Sequence, residues 1–145
     1  MDIILWRHAV ADAHAVVAKR ARKVEKLGGH DSVSLHRLRI GCKQARYAVE
    51  FFDGIERPAK AKRYVRQLSA VQDALGMLND AHVAQVALAG FTHTQPNLAP
   101  AVGVVSAYLN GMAAARLHHR RAPWRKLAAP RAARGVRGLV RTGGQ

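Results

Sequence analysis

The stretch LHRLRIGCKQARYAVEFF, residues 35–52, has apolar side chains at alternating steps of three and four residues. These positions are Leu35, Leu38, Cys42, Ala45, Val49 and Phe52. An α-helix turns once in 3.6 residues, so this spacing places all of them on one face. The stretch therefore predicts an amphipathic helix that buries this face against other helices.

The rest of the chain predicts further helices with short connections. Apolar spacing indicates helices over residues 12–27, 59–78, 80–90 and 101–121. Gly28-Gly29 is expected to end the first of them, and Asp31 or Ser32 to cap the helix that follows. Residues 1–8 are expected to be extended, Trp124 and Leu127 to pack back on the bundle, and the chain from Pro130 to be disordered. We predict an all-α, up-and-down bundle of four to five helices.

Positive charge is the strongest compositional signal. The chain has 24 Lys and Arg against nine Asp and Glu, which leaves a formal net charge of +15. All nine acidic residues lie at or before Asp80, so residues 81–145 contain basic residues and no acidic ones. Such an excess attracts polyanions. Nucleic acid, inorganic polyphosphate and anionic lipid headgroups are therefore the candidate partners on composition alone.

Cysteine content and apolar runs bear on the cellular compartment. The single cysteine, Cys42, excludes an internal disulfide and cannot build a metal site alone, which fits a reducing compartment. The apolar stretch from Leu98 to Met112 is shorter than the roughly 20 residues that a membrane span needs. We therefore predict a cytoplasmic protein with no membrane partner, no metal and no cofactor.

A row of cations lies beside the apolar face of the 35–52 helix. Moving each apolar position along by one residue gives His36, Arg39, Lys43 and Arg46, followed by Glu50. One residue corresponds to about 100° of rotation, so this row is expected at the rim of the helix–helix contact. Arginine and lysine at such a rim are suited to binding phosphate groups.

Other helices have basic rows with similar spacing. These rows include Lys19, Arg22 and Lys23 on the first helix, Arg63 on the third, and Arg116 and Arg120 on the last. If the rows converge, they form a positively charged groove for a chain of phosphates. The alternative is that each row is only a solvated face. Glu50, Asp73 and Asp80 are expected to be buried partners of neighbouring cations or of Tyr47, not catalytic carboxylates.

LHRLRIGCKQARYAVEFF (35–52) is followed by LSAVQDALGMLNDA (68–81). Together these stretches resemble the CHAD domain, the conserved histidine α-helical domain, whose pattern is an H-x-x-R-x-x-x-K-x-x-R-Y-x-x-E helix and then an L-Q-D-x-L-G-x-L-N-D helix. The motif residues outside the basic row are Tyr47, Glu50, Gln72, Asp73, Asn79 and Asp80. The resemblance extends from about Ala13 to Leu127, where WRKL (124–127) is similar to the family's closing segment.

The resemblance implies a helical, non-catalytic protein that binds inorganic polyphosphate through basic residues in a central groove and associates with polyphosphate granules. His36, Arg39, Lys43 and Arg46 then become the best candidate ligands. A complete domain of this family has two similar helical halves, and this chain resembles only the second. A homodimer that completes the groove is therefore one expectation. Non-specific nucleic-acid binding by a basic helical protein is the alternative function.

The first residues, MDIILWRHA, resemble the opening of bacterial phosphohistidine phosphatases, which begin with a strand and an Arg-His pair. This resemblance implies that His8 is a phosphoryl-accepting nucleophile and Arg7 a phosphate ligand. A nucleophile without surrounding electrostatic stabilisation is inactive, and the rest of such a site has no visible counterpart. We therefore predict a phosphatase-like remnant over residues 1–11, a helical bundle over 12–128, a basic tail over 129–145, and no enzyme activity.

Overall fold

The computed structural model describes residues 3–51, 59–118 and 122–140. Within these ranges the chain forms six α-helices and a short 3-10 helix, with no strand. The α-helices are α1 (Ile3–Lys26), α2 (Ser32–Glu50), α3 (Ala59–Thr94), α4 (Ala99–His118), α5 (Pro123–Ala128) and α6 (Pro130–Val140), and the 3-10 helix is Pro96–Leu98. The predicted all-α class is confirmed.

α1 begins earlier than the sequence predicts, at Ile3, so the expected extended segment is wrong for residues 3–8. The Trp6 indole donates a hydrogen bond to the backbone oxygen of Ala48 at 2.8 Å, which ties the first turns of α1 to the end of α2. Val10, one turn further, is buried. Packing against α2 thus outweighs the strand preference of the β-branched residues at the start of the chain.

The core lies where α1, α2 and the first part of α3 meet. Leu38, Cys42, Ala45 and Val49 of α2 are buried, as the spacing predicts, and Leu35 is half-buried; Phe52 lies outside the described residues. On α1 the buried face is Val10, His14, Val17, Ala21 and Val24. Val16 and Leu27 are apolar but exposed, because each lies about 100° or more from the centre of that face.

The connection from α1 to α2 is a tight turn formed by two glycines. Gly28 and Gly29 have φ of 74° and 76°, a left-handed conformation that glycine adopts without a Cβ clash. The Gly29 N–H donates to the carbonyl of Val24 at 2.9 Å and so closes α1. Asp31 then caps α2 by accepting a hydrogen bond from the N–H of Ser34 at 2.8 Å. Of the two predicted caps, the structure uses Asp31.

α3 is one continuous helix of 36 residues, so the predicted break near residue 80 is wrong. Its first part buries Ala61, Tyr64, Leu68, Val71 and Leu75, which recur at three- and four-residue steps. Beyond Leu75 the helix continues without burying any side chain completely. Neither Asn nor Asp excludes a helical conformation, and α4 packs along this second part of α3.

Residues 79–118 form a separate structural region that we call the arm; the other described residues form the body. The arm consists of the second part of α3, the 3-10 helix and α4. Within the described chain, α4 contacts only α3 and the 3-10 helix. Pro96–Ala115 is 20 residues long and apolar enough by length and composition to cross a membrane, which corrects the shorter limit inferred from sequence. None of that segment is buried.

The C-terminal helices close the body. Trp124 and Leu127 of α5 are buried, which confirms that they pack back on the bundle. The Trp124 indole donates to one carboxylate oxygen of Glu25 at 2.6 Å, and Arg125 Nε donates to the other at 2.8 Å. α6 packs against α1 and α3 with Val136 and Leu139 buried. The predicted disorder is therefore wrong for residues 130–140, because α6 has an apolar face that the body covers.

Candidate functional site

The basic row of α2 lies on the surface of the body. His36, Arg39 and Lys43 are exposed, and Arg46 is half-buried. Arg46 Nε lies 3.7 Å from a carboxylate oxygen of Glu50, one turn further along the helix. Both side chains of this pair are about one-third exposed, so the pair contributes little to stability, on the order of 0–1 kcal/mol.

Tyr47 lies beside two cations of this row. Lys43 Nζ is 5.6 Å and Arg46 Cζ is 5.5 Å from the centre of its ring. At these distances the electron-rich face of the ring attracts both charges. The exposed aromatic ring of the motif therefore orients Lys43 and Arg46 at the end of the row.

The other end of the row opens into a cavity between the α1–α2 turn, α2, α3 and α4. Its volume is about 240 Å³, and His36 and Arg39 are among the residues that line it. Two further histidines, His30 and His82, line the same cavity. Three imidazoles and a guanidinium bring many N–H donors to one place, which is the chemistry that recognises an oxyanion.

Amide side chains complete the polar wall of this cavity. Asn79 and Gln85 come from α3, and Asn110 comes from α4. The Gln85 amide donates to the Asn110 side-chain oxygen, which holds the two helices of the arm together beside the cavity. Leu35, Leu75 and Leu78 provide its apolar lining. The arm therefore supplies one wall of the cavity into which His36 and Arg39 extend.

The basic row of α1 does not line this cavity. Lys19, Arg22 and Lys23 are exposed on α1, which meets the opposite flank of α2. On that flank Arg20 Nη1 donates to the backbone oxygen of Arg37 at 2.7 Å. A Cβ added to Gly41 would lie 3.2 Å from the same nitrogen, so Gly41 allows this close approach. The α1 row therefore does not join the α2 row at this cavity.

Arg63 lies in a second basic cleft, between α3, α5 and α6. This cleft has a volume of about 530 Å³, and its cations are Lys60, Arg63, Lys126 and Arg131. Arg131 belongs to the segment that was predicted to be disordered. The sequence analysis therefore did not predict that it lies near Arg63. The side chain of Arg116 and the whole of Arg120 lie outside the described part of the chain.

The remaining motif residues occupy different environments. Asp73 and Asp80 are exposed, so the prediction that they are buried partners of cations is wrong for both. Glu50 is half-buried beside Arg46. The side-chain oxygen Oε1 of Gln72 is buried and has no hydrogen-bond partner among the residues that the structure describes. Asn79 lines the cavity that contains His36, whereas Asp80 lines an apolar groove of the arm.

The phosphatase resemblance implied that Arg7 and His8 follow a strand. The structure instead places both residues in α1. His8 is exposed, and its Nδ1 lies 2.8 Å from the backbone oxygen of Ile4 in the preceding turn. In the described chain no group of three or more His, Cys, Asp or Glu side chains could hold a metal ion.

His14, Tyr64 and Cys42 are titratable side chains that lie buried in the body. His14 Nδ1 is 2.8 Å from the Tyr64 hydroxyl. Burial lowers the pKa of His14, and the positive charge of Arg22 lowers it further. Burial also raises the pKa of the Cys42 thiol to about 12, although Arg20 acts in the opposite direction. A thiol with such a pKa stays protonated at neutral pH and is a poor nucleophile.

Sequence reasoning missed His30, His82, Gln85 and Asn110 as cavity residues. His82 follows Asn79 by three residues, so the helical spacing did contain a signal for that pair. His30 lies in the turn and Asn110 lies on α4. Their position beside His36 depends on how the chain folds back, which local spacing does not specify.

Comparison with known proteins gives two matches. Residues 5–89 match the family model of the CHAD domain. The crystal structure of the CHAD domain from the plant Ricinus communis is similar to this chain, with a TM-score of 0.65 and 34% sequence identity. The match covers 86% of this chain and 44% of the plant chain, so this chain spans less than half of that protein's length. A search of curated proteins returned no match.

Proposed function

The chain belongs to the CHAD domain family, and on that premise we propose that it is a non-catalytic module that binds inorganic polyphosphate in the cytoplasm. The observation that carries the proposal is the cavity that brings together His36 and Arg39 with His30 and His82. A linear phosphate chain would enter this cavity and continue along the row over Lys43 and Arg46.

The chemistry of the row suits a polyanion better than a small neutral ligand. Each bound phosphate releases condensed counterions, so several exposed cations in a line contribute to affinity in proportion to their number. Arg39 donates several hydrogen bonds in one plane to phosphate oxygens. A histidine close to phosphate gains positive charge, because the anion favours the protonated imidazole.

The first test is the salt dependence of polyphosphate binding by the variant Arg39→Ala/Lys43→Ala. Because two phosphate contacts are lost, we expect weaker binding and a salt dependence that is flatter by about two units of slope. Affinity is measured by titration with labelled polyphosphate at several salt concentrations.

The matched control is Arg134→Ala/Arg137→Ala, which removes the same charge from two exposed arginines of α6. This control is expected to leave most of the salt dependence of polyphosphate binding unchanged. An equal loss in both variants would show that binding follows net charge and not the row, and would contradict the proposed site.

A competition experiment separates polyphosphate binding from general polyanion binding. The exposed arginines Arg131, Arg134 and Arg137 of α6 would also attract nucleic acid. Labelled polyphosphate bound to the protein is challenged with duplex DNA at equal phosphate concentration and physiological salt. We expect the polyphosphate to stay bound. Its displacement by DNA would favour a basic nucleic-acid-binding protein.

A further inference from the structure

The arm exposes apolar side chains on both of its helices. Val83 and Val86 of α3 are 58% and 61% exposed, and Val104 and Tyr108 of α4 are 72% and 66% exposed. Apolar residues occur all around α4, although only α3 and the 3-10 helix cover it within the described chain. A helix that is apolar on all sides is normally buried. The arm therefore has a surface that an additional partner would cover.

The arm also differs from the body in charge. Residues 81–115 contain no Asp, Glu, Lys or Arg, in a chain whose net charge is +15. Two copies of such a chain repel each other wherever their basic surfaces meet. The arm is the long segment along which two copies can approach without placing like-charged side chains in contact.

We propose that the arm is a homodimer interface in which each copy covers the apolar arm of the other. A groove of about 350 Å³ between α3 and α4 is lined mainly by apolar residues, including Met77, Leu78, Leu109 and Met112. An exposed ring such as Tyr108 of one copy fits an apolar groove of this kind in the other. In a two-fold dimer this contact forms twice, because each copy contributes the same surface: the Tyr108 ring of each copy enters the groove of the other.

A lipid bilayer is a less suitable occupant of this surface. α4 is long enough to span a membrane, but in the described chain it is the one helix that passes this criterion. To insert alone it would have to leave α3 and break the Gln85–Asn110 hydrogen bond. To insert together with α3 it would carry His82, Gln85 and His93 into hydrocarbon, where unpaired polar groups are costly.

The test is sedimentation velocity of the full chain without polyphosphate, over a wide range of protein concentration. The wild type is expected to show a monomer–dimer equilibrium. Val104→Lys/Tyr108→Lys is expected to weaken the dimer by more than about tenfold, because two charges would then enter an apolar interface. Val16→Lys/Val33→Lys is the control, since it adds the same charge at exposed apolar positions of α1 and α2 and should leave the dimer intact.

A monomeric wild type at every concentration would overturn the proposal. So would equal weakening by both variants, which would show that added charge alone opposes association. Flotation with vesicles of phosphatidylcholine and phosphatidylglycerol tests the lipid alternative: vesicle binding by a monomeric wild type, lost in Val104→Lys/Tyr108→Lys, would replace the dimer by a membrane surface. Circular dichroism establishes that each variant is folded. Polyphosphate is absent, so these results are independent of the proposed function.

Discussion

The body and the arm are built from the same kind of helix, and α3 runs through both, yet they are stabilised differently. In the body α3 buries five side chains between Ala61 and Leu75. In the arm no side chain between Asn79 and Ala115 is completely buried. The backbone hydrogen bonds of a helix can therefore continue where burial stops. The body therefore provides most of the folding free energy, while the arm is a surface carried by a helix that the body anchors.

The largest expected contrast is between two substitutions on α3. Leu68→Ala removes a completely buried side chain of the body and is expected to lower the free energy of unfolding by about 2–5 kcal/mol. Val86→Ala in the arm, where the side chain is 61% exposed, is expected to change it by less than about 0.5 kcal/mol in the monomer. Urea unfolding at low protein concentration measures both. Similar losses would show that the arm belongs to the core.

A smaller effect is expected where α5 joins the body. Glu25→Ala leaves the indole N–H of Trp124, a residue only 2% exposed, without its acceptor. The expected cost is about 1–3 kcal/mol of unfolding free energy. Arg125→Ala is the control: it removes only the more exposed contact to the same carboxylate and should cost less than about 1 kcal/mol. Equal losses in thermal or urea unfolding would mean that the ion pair, and not the indole, anchors α5.

The smallest expected effect is a dependence of body stability on pH through His14. Burial and the charge of Arg22 lower the pKa of His14, so the folded body disfavours the protonated imidazole beside the Tyr64 hydroxyl. Below the ordinary value of 6.5 the unfolded chain binds more protons than the folded one at this position. The stability that the body gains by burying a neutral His14 is therefore present at neutral pH and is lost as the pH falls below 6.5.

His14→Gln removes that ionisation while keeping polar atoms near Tyr64. The difference in unfolding free energy between wild type and variant is expected to shrink as pH is lowered from 7 to 5. Dimer dissociation measured over the same range is expected to be much less affected by this substitution, because His14 lies in the body. A difference that is constant with pH would show that His14 is not held neutral in the folded state.

Residues in and around α2 were predicted well because their signal is local. The buried face, Asp31 as one of two possible caps, and the cation row one residue to its side all follow from a helical period of 3.6 residues. The failures occurred where local preference and packing disagree. IILW favours a strand and the segment from Pro130 resembles disordered chain, but both become helical when their apolar sides find a partner in the body.

The candidate site also has one part that the sequence predicts and one part that it does not. The row of His36, Arg39, Lys43 and Arg46 could be read from spacing alone, since all four residues belong to one helix. The cavity could not, because it joins His36 to His30 in a turn, His82 on α3 and Asn110 on α4. The separation of the α1 row from the α2 row also depends on packing, through the close approach of Arg20 to Gly41.

The helical class, the buried face of α2, the excess of positive charge and the family resemblance can all be recognised in the amino-acid sequence. Helical period, turn-forming glycines and composition act over a few residues, so they can be recognised without coordinates. Three features follow only from the tertiary structure: α3 continues into an uncovered arm, the arm forms one wall of the cavity, and the α1 row lies outside that cavity. These features depend on contacts between residues far apart in the chain, and a local pattern contains no information about which distant helix it will meet.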